Sequence, residues 1–105
     1  MTRGRADDDG VVRSTRGARL RDYVEVTGSV VELGPREEPS PALDVVVADR
    51  VGRVRCTFLG RTAIPGVHVG TVLHVKGRLV LFHRRRCLLN PAYELVDGDG
   101  SATSS

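Results

Sequence analysis

A chain of 105 residues with no tryptophan, two phenylalanines and two tyrosines has room for one small core, and a domain so short favours a closed or nearly closed sheet. The net charge is a modest +3, but residues 50–93 hold nine basic side chains and three histidines without one acid, whereas residues 20–49 hold seven acids against two arginines. A field of one sign gathers polyanions, so nucleic acid is the expected partner, and no catalytic activity is expected: the basic half has no carboxylate pair, Ser and Thr have no spaced His/Asp partners, and no G-x-x-x-x-G-K-[ST] loop occurs.

Residues 1–19 mix Arg3, Arg5, Arg13, Arg16 and Arg19 with the acids Asp7, Asp8 and Asp9 and lack apolar periodicity, which predicts a disordered basic tail. In residues 23–33 (YVEVTGSVVEL), Val24 and Val26 alternate with Glu25 and Thr27, and the run passes through Gly28, where a strand can bend or bulge. This predicts a long, coiled first strand. Residues 34–41 (GPREEPSP) are a cluster of breakers and predict a loop. Residues 43–49 (LDVVVAD) predict a second strand, and a D-R-V-G turn leads to a third over residues 53–59 (RVRCTFL). There Val54, Cys56 and Phe58 share the core face, while Arg53, Arg55, Thr57 and Leu59 share the other.

The connection over residues 60–70 (GRTAIPGVHVG) holds at most one helical turn, because Pro65 and Gly66 follow Ile64. Residues 71–81 predict a fourth strand that sets Leu73, Val75, Gly77 and Leu79 against His74, Lys76 and Arg78. A turn over residues 82–85 leads into a fifth strand at 86–90, Pro91 interrupts it, and residues 93–96 (YELV) close the domain. Residues 97–105 (DGDGSATSS) predict a polar disordered end. The expected core is Val24, Val26, Val45, Val47, Val54, Phe58, Leu73 and Val75, with Tyr93 plugging one end.

Cys56 and Cys87 stand singly in apolar runs, with no CxxC pair and no secretory signal, which predicts two buried free thiols in a reduced cytoplasm. His68, His74 and His83 share no ligand spacing with the cysteines, so no metal is expected, nor any other cofactor. No membrane contact and no small-molecule substrate are expected either.

Five short strands, a glycine-bent first strand, a compact link between the third and fourth and a hairpin between the fourth and fifth match a five-stranded all-β OB-fold barrel over residues 20–96, between two disordered tails. The motifs V-x-V-x-G-x-V (24–30), D-x-x-G (49–52), F-L-G-R (58–61), I-P-G-V-x-x-G (64–70), L-x-V-x-G (73–77) and N-P-x-Y-E-L (90–95) carry a family likeness across residues 23–96. They resemble the small stand-alone OB-fold nucleic-acid-binding proteins of GC-rich bacteria. More distantly the chain is similar to the wedge domain of the RecG-type branched-DNA helicase, where a comparable P-x-Y-E closes the barrel. The resemblance implies a ligand face on the outside of the second and third strands, bounded by the loops after the first and fourth. Residue by residue, that implied face offers Arg53, Arg55 and Thr57 with Phe82, His83, Arg84, Arg85 and Arg86. The rim after the first strand departs from it, since Arg36 is outnumbered there by Glu37 and Glu38.

Fifteen of the sixteen basic residues are arginine, the exception being Lys76, which fits the codon bias of a GC-rich genome. Position therefore carries more weight than number. Arg53 and Arg55, two apart on one strand face, stand about 7 Å from each other, close to the repeat of a stretched phosphate backbone. Lys76 and Arg78 add basic side chains from the fourth strand. Three adjacent arginines at a hairpin repel one another where a plain turn would use Gly, Asn or Asp, and Phe82 beside His83 is the one aromatic placed either to stack on a base or to form a hydrophobic lid. These residues predict phosphate-led binding of single-stranded or branched DNA, or of RNA. The competing reading is a protein-interaction module or accessory subunit that docks through an outward apolar patch of Val46, Leu59 and Leu88.

Overall fold

The computed structural model describes residues 11–96 and 102–103. They form eight strands in one sheet: β1 (Val11–Val12), β2 (Tyr23–Arg36), β3 (Ala42–Ala48), β4 (Arg53–Leu59), β5 (Val72–Phe82), β6 (Arg85–Leu89), β7 (Ala92–Val96) and β8 (Ala102–Thr103). The protein is all-β; no described residue is helical, so the connection before β5 does without even a helical turn, and no described helix is long and apolar enough to cross a membrane.

Strand β2 shapes the rest because it serves two neighbours. Its first half pairs antiparallel with β5, from Tyr23 opposite Arg78 to Ser29 opposite Val72. Its second half pairs with β3, from Ser29 opposite Ala48 to Arg36 opposite Ala42, with a bulge between Val30 and Glu32. The handover falls beside Gly28, where a β-carbon would collide with the Ala48 carbonyl oxygen, so only glycine permits this bend. Strands β3 and β4 form a hairpin, β6 pairs antiparallel with β5, and a short parallel pairing of Cys56 with Leu88 and Thr57 with Leu89 joins β4 to β6. The pairings β2–β3–β4–β6–β5–β2 thus close a ring of five strands.

The ring encloses the core. Val24, Val26, Val45, Val47, Phe58, Leu73 and Val75 are buried as the alternation predicts, and Val54 is half-buried against them. Val30, Leu43, Cys56, Ile64, Val67, Leu79 and Leu88 complete it. Tyr93 meets Phe58 edge-on, with ring centroids 5.5 Å apart.

Four expectations are corrected. The first strand runs on to Arg36 rather than ending at Leu33, so the loop shrinks to residues 37–41. Pro35 is tolerated because no strand pairs with that half of β2 on its other side. Next, the body takes in residues assigned to the N-terminal tail: β1 lies parallel to the start of β2, and Val12 is wholly buried in the core. The expectation for residues 1–10 lies outside the described residues, as does that for 97–101 and 104–105, while Ala102 and Thr103 pair with Val96 and Leu95. Third, the turn between the fourth and fifth strands is only His83 and Arg84, because Phe82 and Arg85 are already paired. Finally, the apolar patch is largely absent: Leu88 faces the core at 0% exposure, Val46 is 5% exposed, and only Leu59 lies open.

Candidate functional site

Alternation along the hairpin of β3 and β4 turns Asp44, Val46, Arg53, Arg55 and Thr57 away from the core. The pairing sets Asp44 opposite Thr57, Val46 opposite Arg55 and Ala48 opposite Arg53. Across the parallel seam, β6 adds Cys87 and Arg85 to the same outer face, since Leu88 points inward. Phe82 stands opposite Arg85 at the tip of β5.

These side chains border a cleft of about 350 Å³, walled on one side by Arg36 and Pro39 and on the other by Phe82, His83 and Arg85. Asp44, Arg55 and Thr57 form its floor. A second hollow of about 260 Å³ shares Arg36, Asp44, Arg55 and Arg85 with it and continues toward Glu32 and Leu33. The result is a groove across the outer face.

Asp44 is the hub of the floor. The buried Thr57 hydroxyl donates to Asp44 Oδ1 at 2.8 Å, Arg36 Nη2 reaches the same oxygen at 3.4 Å, and Arg55 Nη1 stands 3.7 Å from Oδ2. A carboxylate this enclosed persists only where charges and hydrogen bonds compensate its lost hydration. Beside it, burial pushes the Cys87 thiol above its ordinary pKa; the Thr57 hydrogen bond, Arg55 and Arg36 oppose this, and Asp44 adds to it. Cys56, in the core behind, is raised to about 12 by burial and by its proximity to Cys87. Both cysteines are free thiols, and both stay protonated at neutral pH, which leaves them poor nucleophiles.

The hairpin tip is strained. His83 and Arg84 have φ of +52° and +68°, the two left-handed positions of a two-residue hairpin turn. Such turns favour Asn-Gly, because the left-handed region costs ordinary residues about 1–2 kcal/mol each. The Phe82 and His83 rings meet edge to face with centroids 4.3 Å apart.

The structure therefore brings Arg55, Thr57, Phe82, His83 and Arg85 together around one cleft. Arg53 lies on the same outer face farther along β4, exposed. Arg84 sits at the turn, and Arg86 pairs with Leu81 on the opposite face of the hairpin, so the arginine triplet is divided between faces. Lys76 and Arg78 stand elsewhere, on the half of β5 that pairs with β2. Arg78 donates to the Arg21 carbonyl at 2.7 Å and lies 5.6 Å from the centre of the Tyr23 ring.

Neither a family model nor a curated protein matches the chain. The site's chemistry therefore has to speak for its function.

Pro39 and Asp44 are absent from the residues to which the sequence points, and Arg36 enters there only as a rim residue outnumbered by acids. The signal for Asp44 lay in the D-R-V-G turn: pairing Ala48 with Arg53 across it puts Asp44 opposite Thr57. The sequence puts Arg36 on the rim but not against Asp44, and Pro39 carries no signal, because the place of both depends on how far β2 continues.

A larger hollow of about 770 Å³ lies at the bend of β2. Thr27 Oγ1 lies 2.7 Å from His74 Nδ1, His74 Nε2 lies 2.8 Å from Glu25 Oε2, and Arg13 Nε is 3.8 Å from Glu25 Oε1. Nearby, Asp49 accepts from the Val51 and Gly52 backbone and from both the backbone and the hydroxyl of Thr15. Burial alone would raise the Asp49 carboxyl, but these hydrogen bonds, led by the Thr15 hydroxyl, hold it below its usual value. No group of three or more potential metal ligands occurs among the described residues.

Proposed function

We propose that the protein is a non-catalytic OB-fold nucleic-acid-binding protein of the cytoplasm. On this reading it holds single-stranded or branched nucleic acid mainly by its phosphates, along the groove on the outer face of β3, β4 and β6. The observation that carries the proposal is the cleft whose lining brings Arg36, Arg55 and Arg85 together with Phe82 and His83. Cations that track a backbone beside rings that can stack on bases are the two ingredients of single-strand binding. The strained His83-Arg84 turn adds support, since backbone strain gathers at functional sites. The loss of Val46 and Leu88 from the exposed surface removes most of the patch on which a protein-docking alternative rested.

The test is fluorescence anisotropy against single-stranded, duplex and forked oligonucleotides at several salt concentrations. Neutralising about three to five phosphates gives a slope of log affinity against log salt near −2 to −4 on single strands. Reversing Arg84 and Arg85 to Glu flattens that slope while circular dichroism stays unchanged. No binding by the parent protein at low salt, or a charge-reversed variant with unchanged affinity, would refute the proposal.

A further inference from the structure

A groove built only for phosphate would present donors, yet the floor of this one holds a carboxylate. Asp44 Oδ1 accepts from Thr57 at 2.8 Å, whereas its arginine contacts, at 3.4 and 3.7 Å, are slack. Tight charge-assisted bonds of this type run about 2.7–2.9 Å. Among the described residues, Oδ2 receives no hydrogen bond at all. The cleft therefore contains an acceptor with unused capacity, a few ångströms from arginines free to turn elsewhere, and the Phe82 and His83 rings border the same space.

A carboxylate only accepts, so it selects partners by the donors they present. Of the Watson–Crick edges, only that of guanine offers two adjacent donors, N1–H and the 2-amino group, spaced to meet the two oxygens of one carboxylate. Adenine and cytosine present a single amino group, and thymine and uracil a single imide N–H. In a duplex the guanine edge is already paired, so only an unpaired guanine can offer both donors to the cleft.

Resting on the function proposed above, we infer that Asp44 reads the Watson–Crick edge of one unpaired guanine whose ring stacks on Phe82. Arg36 and Arg55 then exchange their loose contacts with Asp44 for the flanking phosphates, which keeps the buried carboxylate compensated by the base. Thr57 holds Oδ1 in place throughout.

The test compares three oligo-dT strands that carry one central guanine, hypoxanthine or thymine, at a fixed low salt concentration. Hypoxanthine lacks only the 2-amino group. The expected result is binding about tenfold tighter for guanine than for hypoxanthine, as one arm of a bidentate pair is lost. Asp44→Asn should raise affinity for plain oligo-dT, because a negative charge leaves the groove, and should abolish the preference for guanine. A merely structural Asp44 would instead lower both affinities together. If Asp44→Asn does not fold, the comparison of guanine with hypoxanthine on the parent protein decides alone. Equal affinity for those two, with salt-dependent binding to oligo-dT intact, overturns the inference and leaves the proposed function standing. Absence of binding to every strand at low salt overturns both.

Discussion

Asp49 organises two segments at once. It ties the turn between β3 and β4 through the Val51 and Gly52 backbone, and through Thr15 it straps the N-terminal segment to the ring. Its folded pKa lies below the unfolded value of about 3.9. The carboxylate's contribution is therefore complete at neutral pH and is lost as the pH falls below about 4. Asp49→Asn should cost about 1 kcal/mol at pH 7, below the range of about 1.5–3 kcal/mol for hydrogen bonds to a charge because the site is partly exposed. Thermal melts from pH 7 to 3 should show the parent losing this increment and the variant not. Amide exchange at Thr15 should rise in the variant, and unchanged exchange there would remove the strap from the account. Phe58 is the other residue whose role is plain: it is buried and packed against Tyr93, and Phe58→Ala should cost about 3–5 kcal/mol in denaturant unfolding. Its place was legible in sequence, because Val54, Cys56 and Phe58 alternate with Arg53, Arg55 and Thr57.

At the scale of strands, alternation tells which face a side chain takes but not what lies over that face. Val46 points outward as read, yet it is covered, because the coiled end of β2 and Arg55 border the hollow above it. In β6 the pattern is silent: Cys87 and Leu88 are adjacent, apolar and both buried, one on each face, and the phase is set by the pairing of Leu88 with Leu79 and Cys56. Val12 carries no signal in the sequence, because a two-residue strand is too short to show a period. The hairpin of β5 and β6 carries its own prediction. Replacing His83-Arg84 with Asn-Gly should relieve two left-handed residues and stabilise the protein by about 1–2 kcal/mol or more. The same change should weaken oligonucleotide binding, since it removes a ring and a charge from the groove's rim. A variant that gains stability with no loss of affinity would make the strain incidental.

Closing the ring redistributes the charge that is so lopsided along the chain. Read as a sequence, residues 20–49 are acidic and residues 50–93 basic, but the pairings bring the two halves face to face. Asp44 lies between Arg36 and Arg55, while Glu25 takes His74 and Arg13 and stands in register with Lys76. The field is therefore not one positive side of a domain. Arg85 lines the outer groove, whereas Lys76 stands opposite Glu25 on another part of the ring. This separates two substitutions that remove the same charge. If Arg85 neutralises one phosphate, Arg85→Gln should make the salt slope on single strands shallower by about 0.7. Lys76→Gln, beside Glu25 on the ring's other flank, should leave both slope and affinity near those of the parent. Equal effects from the two would mean that the strand wraps past the hairpin onto the outer face of β5 and β2, and the binding surface would then follow the sequence halves rather than the groove.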